Sequence, residues 1–237
     1  AGGLTLDHEG RVLVSNGGAG EVFGSTYGIR RLTDRGTIDS SFSLVFSGGA
    51  SDMVVQRSGR ILLGGTSVYA NGTSFDGVVR VFADGSFDPS FKIPSYSGYF
   101  RFFAASGDRV YSSIGMPPVL GVIRLNETGL DGSFTFGDNS VAYGAAAAIL
   151  PLPDGKLMRA SPAHPDLLDK PAWLFGRHLE SGALDPAFQV NGLDRLTTKI
   201  ERMLMLDDGS MWLFGANLTA FGAPCPGVMR LVAATPL

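Results

Sequence analysis

The chain repeats itself, and that repetition limits the folds open to it more than anything else in the sequence. "RLTDRGTIDSSF" closes at Phe42, "RVFADGSFDPSF" at Phe91, "RLNETGLDGSF" at Phe134 and "HLESGALDPAF" at Phe188, so the closing phenylalanines stand 49, 43 and 54 residues apart. Glycine turns at 10, 59, 107, 155 and 209 keep the same period, each leading into an apolar run such as "ILL" or "MWLF". Five units of nearly equal length fill the 237 residues, roughly 1–47, 48–95, 96–139, 140–191 and 192–237, and leave no room for a second domain. In the last unit the motif opens at "MRLVAATPL" and does not finish.

Every unit has one internal grammar. An apolar segment such as "MVVQ" meets a polar-glycine turn, then a run such as "ILLGG", a variable loop, "VVRVF", and an Asp-Gly turn into "FDPSF". That is about four short antiparallel strands per unit, and strands joined by tight turns at a period of about 40 to 50 residues read as the blades of an all-β propeller-like array. Each blade is expected to bury its apolar faces on its neighbours. Two stretches complicate the reading. The alanines at 145–148 favour helix by propensity but hold the register of "MVVQ" and are read as strand; a helical segment is expected in the proline-bounded insertion "SPAHPDLLDKPAW".

The acidic residues recur with the fold. Asp84 and Gly85 suit a turn, with the glycine at positive φ. A second aspartate, at Asp39, Asp88, Asp131 and Asp185, always precedes the phenylalanine by three residues, and Arg31, Arg80, Arg124 and Arg230 recur on the strand before it. A repeated Arg–Asp pairing within or between blades is the expected structural role of both. The pattern polar-Gly-Lys/Arg-apolar, loop, Arg-Leu-x-x-Asp-Gly-x-Leu-Asp-x-x-Phe resembles the delta-60 repeat, a bacterial repeat associated with β-propellers. The resemblance covers essentially the whole chain and is sharpest at 54–91 and 28–42. The third and fourth units lack one residue before the second aspartate, and His178 stands where arginine is expected. Membership would imply an extracytoplasmic module of a secreted or cell-surface bacterial protein, with no established activity to carry over.

Composition excludes several functions. With 17% charged residues and a net charge of −3, the chain has no electrostatic footprint for nucleic acid or an anionic membrane. No apolar run reaches the ~20 residues of a membrane helix, so membrane insertion is not expected. Cys225 is the single cysteine, which rules out an intrachain disulfide and a thiolate metal cluster. The start at Ala1 reads as a processed or excised chain, so the remainder of a larger parent chain is an expected partner.

Little in the sequence points to chemistry. His8, His164 and His178 are not at metal-ligand spacing and read as surface or strand-edge residues. No nucleophile elbow occurs, and "GGAGEVFG" lacks the dinucleotide spacing. Asp outnumbers Glu 17 to 5, yet "DGSFD" supplies two carboxylates where a calcium loop needs more. No catalytic residue, metal site or cofactor is therefore assigned. The sequons at Asn71, Asn126 and Asn217 read as turn residues. The loops between the second and third strands vary while the strands keep register, and they carry Phe23, Tyr27, Tyr69, Phe75, Trp173 and Phe221. Of these, Tyr27, Tyr69, Phe75, Trp173 and Phe221 are the candidate binding residues, Trp173 and Phe75 first, for a protein or glycan on one loop face. The alternatives are an enzyme with its site at the channel mouth, or a structural part of a fibre or surface layer whose exposed blade faces make the contacts.

Overall fold

Each polar-glycine turn closes a hairpin. Gly10, Gly59, Gly155 and Gly209 take φ values of +78°, +81°, +83° and +76°, in the left-handed region that side chains disfavour. Their N–H groups donate to the carbonyls of Asp7, Gln56, Leu152 and Leu206, three residues back. The computed structural model describes residues 3–15, 29–44, 46–47, 50–65, 68–70, 73–75, 77–93, 100–116, 119–136, 146–162, 173–190, 199–221 and 223–232. Among the described residues there is no helix, and the strands form seven small sheets.

Five of these sheets carry the repeat. The first is β1 (Leu4–Leu6), β2 (Val12–Ser15) and β3 (Ile29–Leu32), in that order. A short β4 (Phe46–Ser47) leads to β5 (Ala50–Val55) and β6 (Ile61–Gly65); β7 (Val68–Ala70) and β8 (Thr73–Phe75) follow before β9 (Val78–Val81). The second sheet has the order β5-β6-β9, while β4-β7-β8 form an accessory sheet. The third sheet runs in chain order through β10 (Phe100–Ser106), β11 (Arg109–Met116), β12 (Val119–Asn126) and β13 (Gly129–Leu130). The fourth is β14 (Ala148–Pro151), β15 (Leu157–Pro162) and β16 (Trp173–His178). The last comprises β17 (Lys199–Met205), β18 (Met211–Ala216), the separate hairpin β19 (Leu218–Ala220) and β20 (Ala223–Cys225), and β21 (Val228–Leu231), with β17-β18-β21 as the main sheet.

The expected fourth strand is much reduced. It survives as one antiparallel bridge in three repeats, Leu32↔Ile38, Val81↔Phe87 and His178↔Leu184, and as the two-residue β13 in the third. The aspartate that follows turns the chain away, and Pro89 and Pro186 have no N–H to extend a ladder. The alanine run also differs from expectation. Ala146 and Ala147 are irregular and the strand begins at Ala148, while the insertion where a helix was expected lies, at 163–172, outside the described residues.

The chain divides into two compact parts, one of residues 1–117 with 124–131 and the other of 118–123 with 132–237. In the first, Met53, Ile61, Leu63, Val79 and Val81 on one face of the second sheet pack with Leu13 and Ile29 of the first sheet. The opposite face, with Leu62, Val78 and Arg80, is buried too, so β6 and β9 are covered on both sides. In the second part, Met211, Leu213 and Met229 of the last sheet pack with Ala148, Met158, Ala160 and Phe175 of the fourth.

Adjacent repeats also meet backbone to backbone. Ser43 N–H donates to the Asp84 carbonyl at 3.0 Å and Thr135 N–H to the Ser181 carbonyl at 2.9 Å. Lys92 forms a parallel bridge with Gly129 at the same place in the repeat. In the second, third and fourth repeats the glycine of the turn before the second aspartate lies directly beneath this strap: a Cβ on Gly85 would stand 2.8 Å from the Ser43 carbonyl oxygen, and one on Gly129 or Gly182 would collide with Lys92 or Thr135. Gly36, the same residue of the first repeat, has φ +75° and nothing within 4 Å of the added atom. Gly36→Ala is therefore expected to cost about 1–2 kcal/mol, the left-handed backbone term alone, whereas Gly182→Ala should lose at least twice that by displacing the strap. Denaturant unfolding of the two variants side by side measures the difference.

Candidate functional site

The recurrent Arg, Asp and Phe form a repeated cluster. Arg31 Nε donates to Asp39 Oδ2 at 2.8 Å, Arg80 Nε to Asp88 Oδ2 at 2.8 Å and Arg124 Nε to Asp131 Oδ2 at 2.7 Å. The guanidinium then lies over the phenylalanine three residues beyond the aspartate: Arg31 is 5.0 Å from the Phe42 ring centroid and Arg80 is 4.5 Å from that of Phe91. Its second nitrogen reaches the next repeat. Arg31 Nη1 donates to the Ala83 carbonyl at 2.5 Å, and Arg80 Nη1 to the Glu127 carbonyl at 2.7 Å. The third finds a serine two residues after the aspartate, Ser41 at 3.0 Å or Ser90 at 3.4 Å. One side chain thus closes its own turn, stacks on its own phenylalanine and ties down its neighbour.

The fourth repeat corrects the sequence alignment. Arg177, not His178, occupies the arginine position: its Nε donates to Asp185 Oδ2 at 2.8 Å, and its guanidinium lies 5.0 Å from the Phe188 ring. No residue is lost there, since Arg177 precedes Asp185 by eight just as Arg80 precedes Asp88. His178 is fully buried instead of lying at a surface or strand edge. It stacks on Phe136 at 4.4 Å, and its Nδ1 stands 3.0 Å from the Gly182 carbonyl. Arg159, which the sequence reading did not single out, is also buried, with its guanidinium 4.6 Å from the same Phe136 ring. Strict alternation along β15 was the signal available: Leu157 and Arg159 share one face.

The aspartates of the turns are engaged as hydrogen-bond acceptors. Asp84 Oδ1 accepts from the N–H and hydroxyl of Ser86, and Asp88 Oδ1 from those of Ser90 while Oδ2 holds Arg80. Hydrogen bonds from the Ser41 hydroxyl and N–H, then from Arg31, hold the Asp39 carboxyl down at about 2. At Asp88 burial pushes upward, but Ser90 and Arg80 outweigh it and the net direction is down. Asp185 behaves alike: burial opposes, and the Ala187 N–H and Arg177 prevail. Basic residues after the glycine turns join the same network, Arg60 Nε standing 3.2 Å from Asp88 Oδ2 and Arg11 Nη1 3.8 Å from Asp39 Oδ2. An open cleft lined by Asp7, His8, Glu9, Arg11, Arg31 and Ala83 lies beside the first of these networks.

Arg230 stands apart. It turns back to Ser210 Oγ at 3.0 Å and to Asp208 within its own sheet, and both partners of the ion pair are about half exposed.

The candidate binding aromatics are distributed differently from one another. Phe221 is 84% exposed at the tip of the β19–β20 hairpin, where Ala220 pairs with Ala223, and its φ is +51°. A bulky side chain in that region is an outlier that costs about 1–3 kcal/mol. Phe75 is half-buried, packed on the first-part core with its ring 4.7 Å from that of Phe87. Tyr69 pairs with Ser47 and Ser74 through its backbone, Trp173 opens β16 opposite Pro162, and Tyr27 lies outside the described residues. Of the sequons, Asn71 is outside the described residues. Asn126 Oδ1 accepts from Thr128 and Gly129 in a turn, and Asn217 sits at φ +52° between β18 and β19.

Comparison with known proteins places this geometry. Residues 56–91 match a family described as a domain of unknown function (DUF5122) beta-propeller. That stretch is the second repeat from its glycine turn through Arg80 and Asp88 to Phe91. No curated protein matches the chain by sequence. Among solved structures, it is similar to a gluconolactonase from Xanthomonas campestris, with 14% identity over 91% of this chain and 69% of that one, at a TM-score of 0.53. It is also similar to a virginiamycin B lyase from Staphylococcus aureus, with 13% identity over 98% of this chain and 81% of that one, at a TM-score of 0.45. At 14% identity the likeness to the gluconolactonase is one of fold. The chain is an all-β protein of small antiparallel sheets carrying a β-propeller repeat.

Two outcomes are expected of the arginine clusters. Asp88→Ala strands the buried Arg80 and should cost about 3–5 kcal/mol, while Arg230→Ala, at an exposed pair, should cost about 1 kcal/mol or less; chemical denaturation ranks them. The folded carboxyls of Asp39, Asp84, Asp88 and Asp185 lie below the unfolded carboxylate value. Their contribution is therefore complete above about pH 5 and is lost as pH falls through about 4 toward 2. Thermal melts between pH 7 and 2 should show the midpoint steady at first and then dropping, with a shallower drop in Asp39→Asn.

Proposed function

We propose that the chain is a non-enzymatic recognition or scaffold module of a secreted or cell-surface bacterial protein, and that it binds protein or glycan through the connections between the second and third strands of its repeats. The observation that carries this reading is Phe221, a large apolar ring held out on its own hairpin in a strained backbone conformation. Strain of this kind persists where the exposed group has a use, and an aromatic on a protruding loop can stack on a sugar ring or enter a protein pocket. The delta-60 resemblance, from the Arg, Asp-Gly, Asp and Phe of each repeat, supports the extracytoplasmic setting. Among the described residues, the carboxyls with displaced titration, Asp7, Asp39, Asp84, Asp88, Asp154, Asp185 and Asp208, all move downward. That direction suits ion pairs and turns, whereas a general acid working near neutrality needs a carboxyl pushed up.

The test is an array of bacterial surface polysaccharides and of peptides from surface proteins, probed with the purified chain and with variants at Phe221. Phe221→Ala is expected to weaken the strongest binding at least tenfold, about 1.4 kcal/mol. Phe221→Gly should weaken binding equally while raising stability by about 1 kcal/mol through relief of the positive φ. Binding that is unchanged in both variants, or turnover of glucono-lactone by the chain, would overturn the reading.

A further inference from the structure

The two repeat junctions of the first compact part differ at one side chain. In the junction of the second and third repeats, Glu127 reaches back between the sheets. Its Oε2 stands 3.1 Å from Arg60 Nη1 and 3.3 Å from Arg80 Nη1, and its Oε1 accepts from the Ser58 hydroxyl at 3.1 Å. In the junction of the first and second repeats, the carbonyl that takes the arginine belongs to Ala83, whose side chain stops at Cβ. The room a glutamate side chain would take there is the cleft beside Arg31, about 70 Å³ in volume and several times what one water needs. Gly59, Ile61 and Ala83 form its apolar wall.

The polar wall of the cleft differs in charge from its counterpart. Counting along the glycine turns, Asp7 stands where the other junction has Gln56, His8 where it has Arg57 and Glu9 where it has Ser58. Two carboxylates are gained for the one missing at Ala83, and an arginine gives way to a histidine, so the first junction is the more negative. Its guanidiniums are already engaged: Arg31 donates to Asp39, Ala83 and Ser41, and Arg11 pairs with Asp7 and Glu9. The carboxylates can accept more, since each oxygen has two lone pairs and the Glu9 side chain is 70% exposed. A bare metal ion does not suit the cleft, because among the described residues no group of three or more His, Cys, Asp or Glu side chains is placed to hold one. The walls match a single compact cation on an apolar stem.

We propose that this cleft seats the side chain of a lysine presented by a partner polypeptide. The lysine methylenes lie along Gly59, Ile61 and Ala83, as lysine stems cover apolar surface in general. The ammonium donates to Asp7 and Glu9, a charge-assisted contact. The guest thus takes the space that Glu127 holds in the other junction, with the opposite charge. The seat lies at the glycine-turn end of the first two repeats. The connections between second and third strands contribute nothing to it, so it stands or falls apart from the loop-face function.

Amide chemical-shift titration of the isotope-labelled chain at low ionic strength tests it, with n-butylammonium, Nα-acetyl-lysinamide and propionate as probes. Both amines should produce saturable shifts at Gly59 and Ala83, and propionate should produce none. Ala83→Glu installs the side chain that the other junction carries and should weaken amine binding at least about tenfold. Glu9→Gln, at an exposed position that folding does not depend on, should weaken it at least about threefold. Circular dichroism melts confirm that each variant is folded. The absence of saturable shifts with either amine overturns the proposal, as does propionate binding as tightly as the amines. Amine binding that is unchanged in Glu9→Gln or in a folded Ala83→Glu overturns it as well, and so does binding of n-butylammonium without binding of Nα-acetyl-lysinamide.

Discussion

The interaction on which the rest depends is the arginine of each repeat. A guanidinium that is almost fully buried must have its donors met, because an unpaired buried charge is among the most costly states in a protein interior. Arg31 and Arg80 meet that demand with an aspartate eight residues on, a serine beyond it and a backbone carbonyl in the following repeat. The first two fix the turn; the third fixes the neighbour. Planarity matters here, since only a fork of donors in one plane can address three acceptors while its face lies on a phenylalanine. Lysine at the same place would keep the charge and lose the junction.

That polar junction sets the register of the apolar one. A sheet whose residues alternate faces can slip by one and turn every side chain to the wrong side, and the arginine, anchored at both ends, forbids the slip. Ile61, Leu63, Val79 and Val81 then fall on the first-sheet side of the second sheet, with Leu62 and Val78 on the other. The strap over Gly85, Gly129 and Gly182 follows from the same placement, for it brings one backbone so close to the next that a methyl group does not fit. Glycine is required in those turns by the neighbour as much as by its own φ.

Most of the fold was legible because the repeat writes its turn chemistry five times. Glycine spacing located the hairpins, and the period-two runs between them located the strands. Arg177 was missed because the motif was anchored on the apolar residue after the arginine, and His178, filling that apolar place on β16, was taken for the arginine's substitute. Its burial on Phe136 shows that the position is defined by packing and tolerates a ring. The fourth strand was overestimated because the residues before the second aspartate alternate like a strand, while proline and the Asp side chain end the ladder after one bridge. Arg159 left only the alternation along β15 as a signature: a single arginine in "KLMRAS" looks like an outward residue until Phe136, from another repeat, covers it. The aromatic loop residues were found by composition, which cannot separate a ring that packs, such as Phe75, from one that protrudes, such as Phe221.

The division of labour within each repeat explains where variation collects. Antiparallel order puts the glycine turn, the arginine's partners and the Asp-Gly turn at one end of the sheet, and the connection from the second strand to the third at the other. The arginine and strap ties between repeats lie at the first end, and the apolar ties lie on the sheet faces. The connection at the second end carries neither the arginine nor the strap, so it can lengthen without disturbing them: into β7 and β8 in the second repeat, where β7 pairs with β4, and into β19 and β20 in the last. The tip of such a connection is where a strained, exposed aromatic can be held at little cost to the fold, because its strain is confined beyond the ladder. Phe221 sits at such a tip, and the physics that fixes the scaffold is what leaves that residue available for contact.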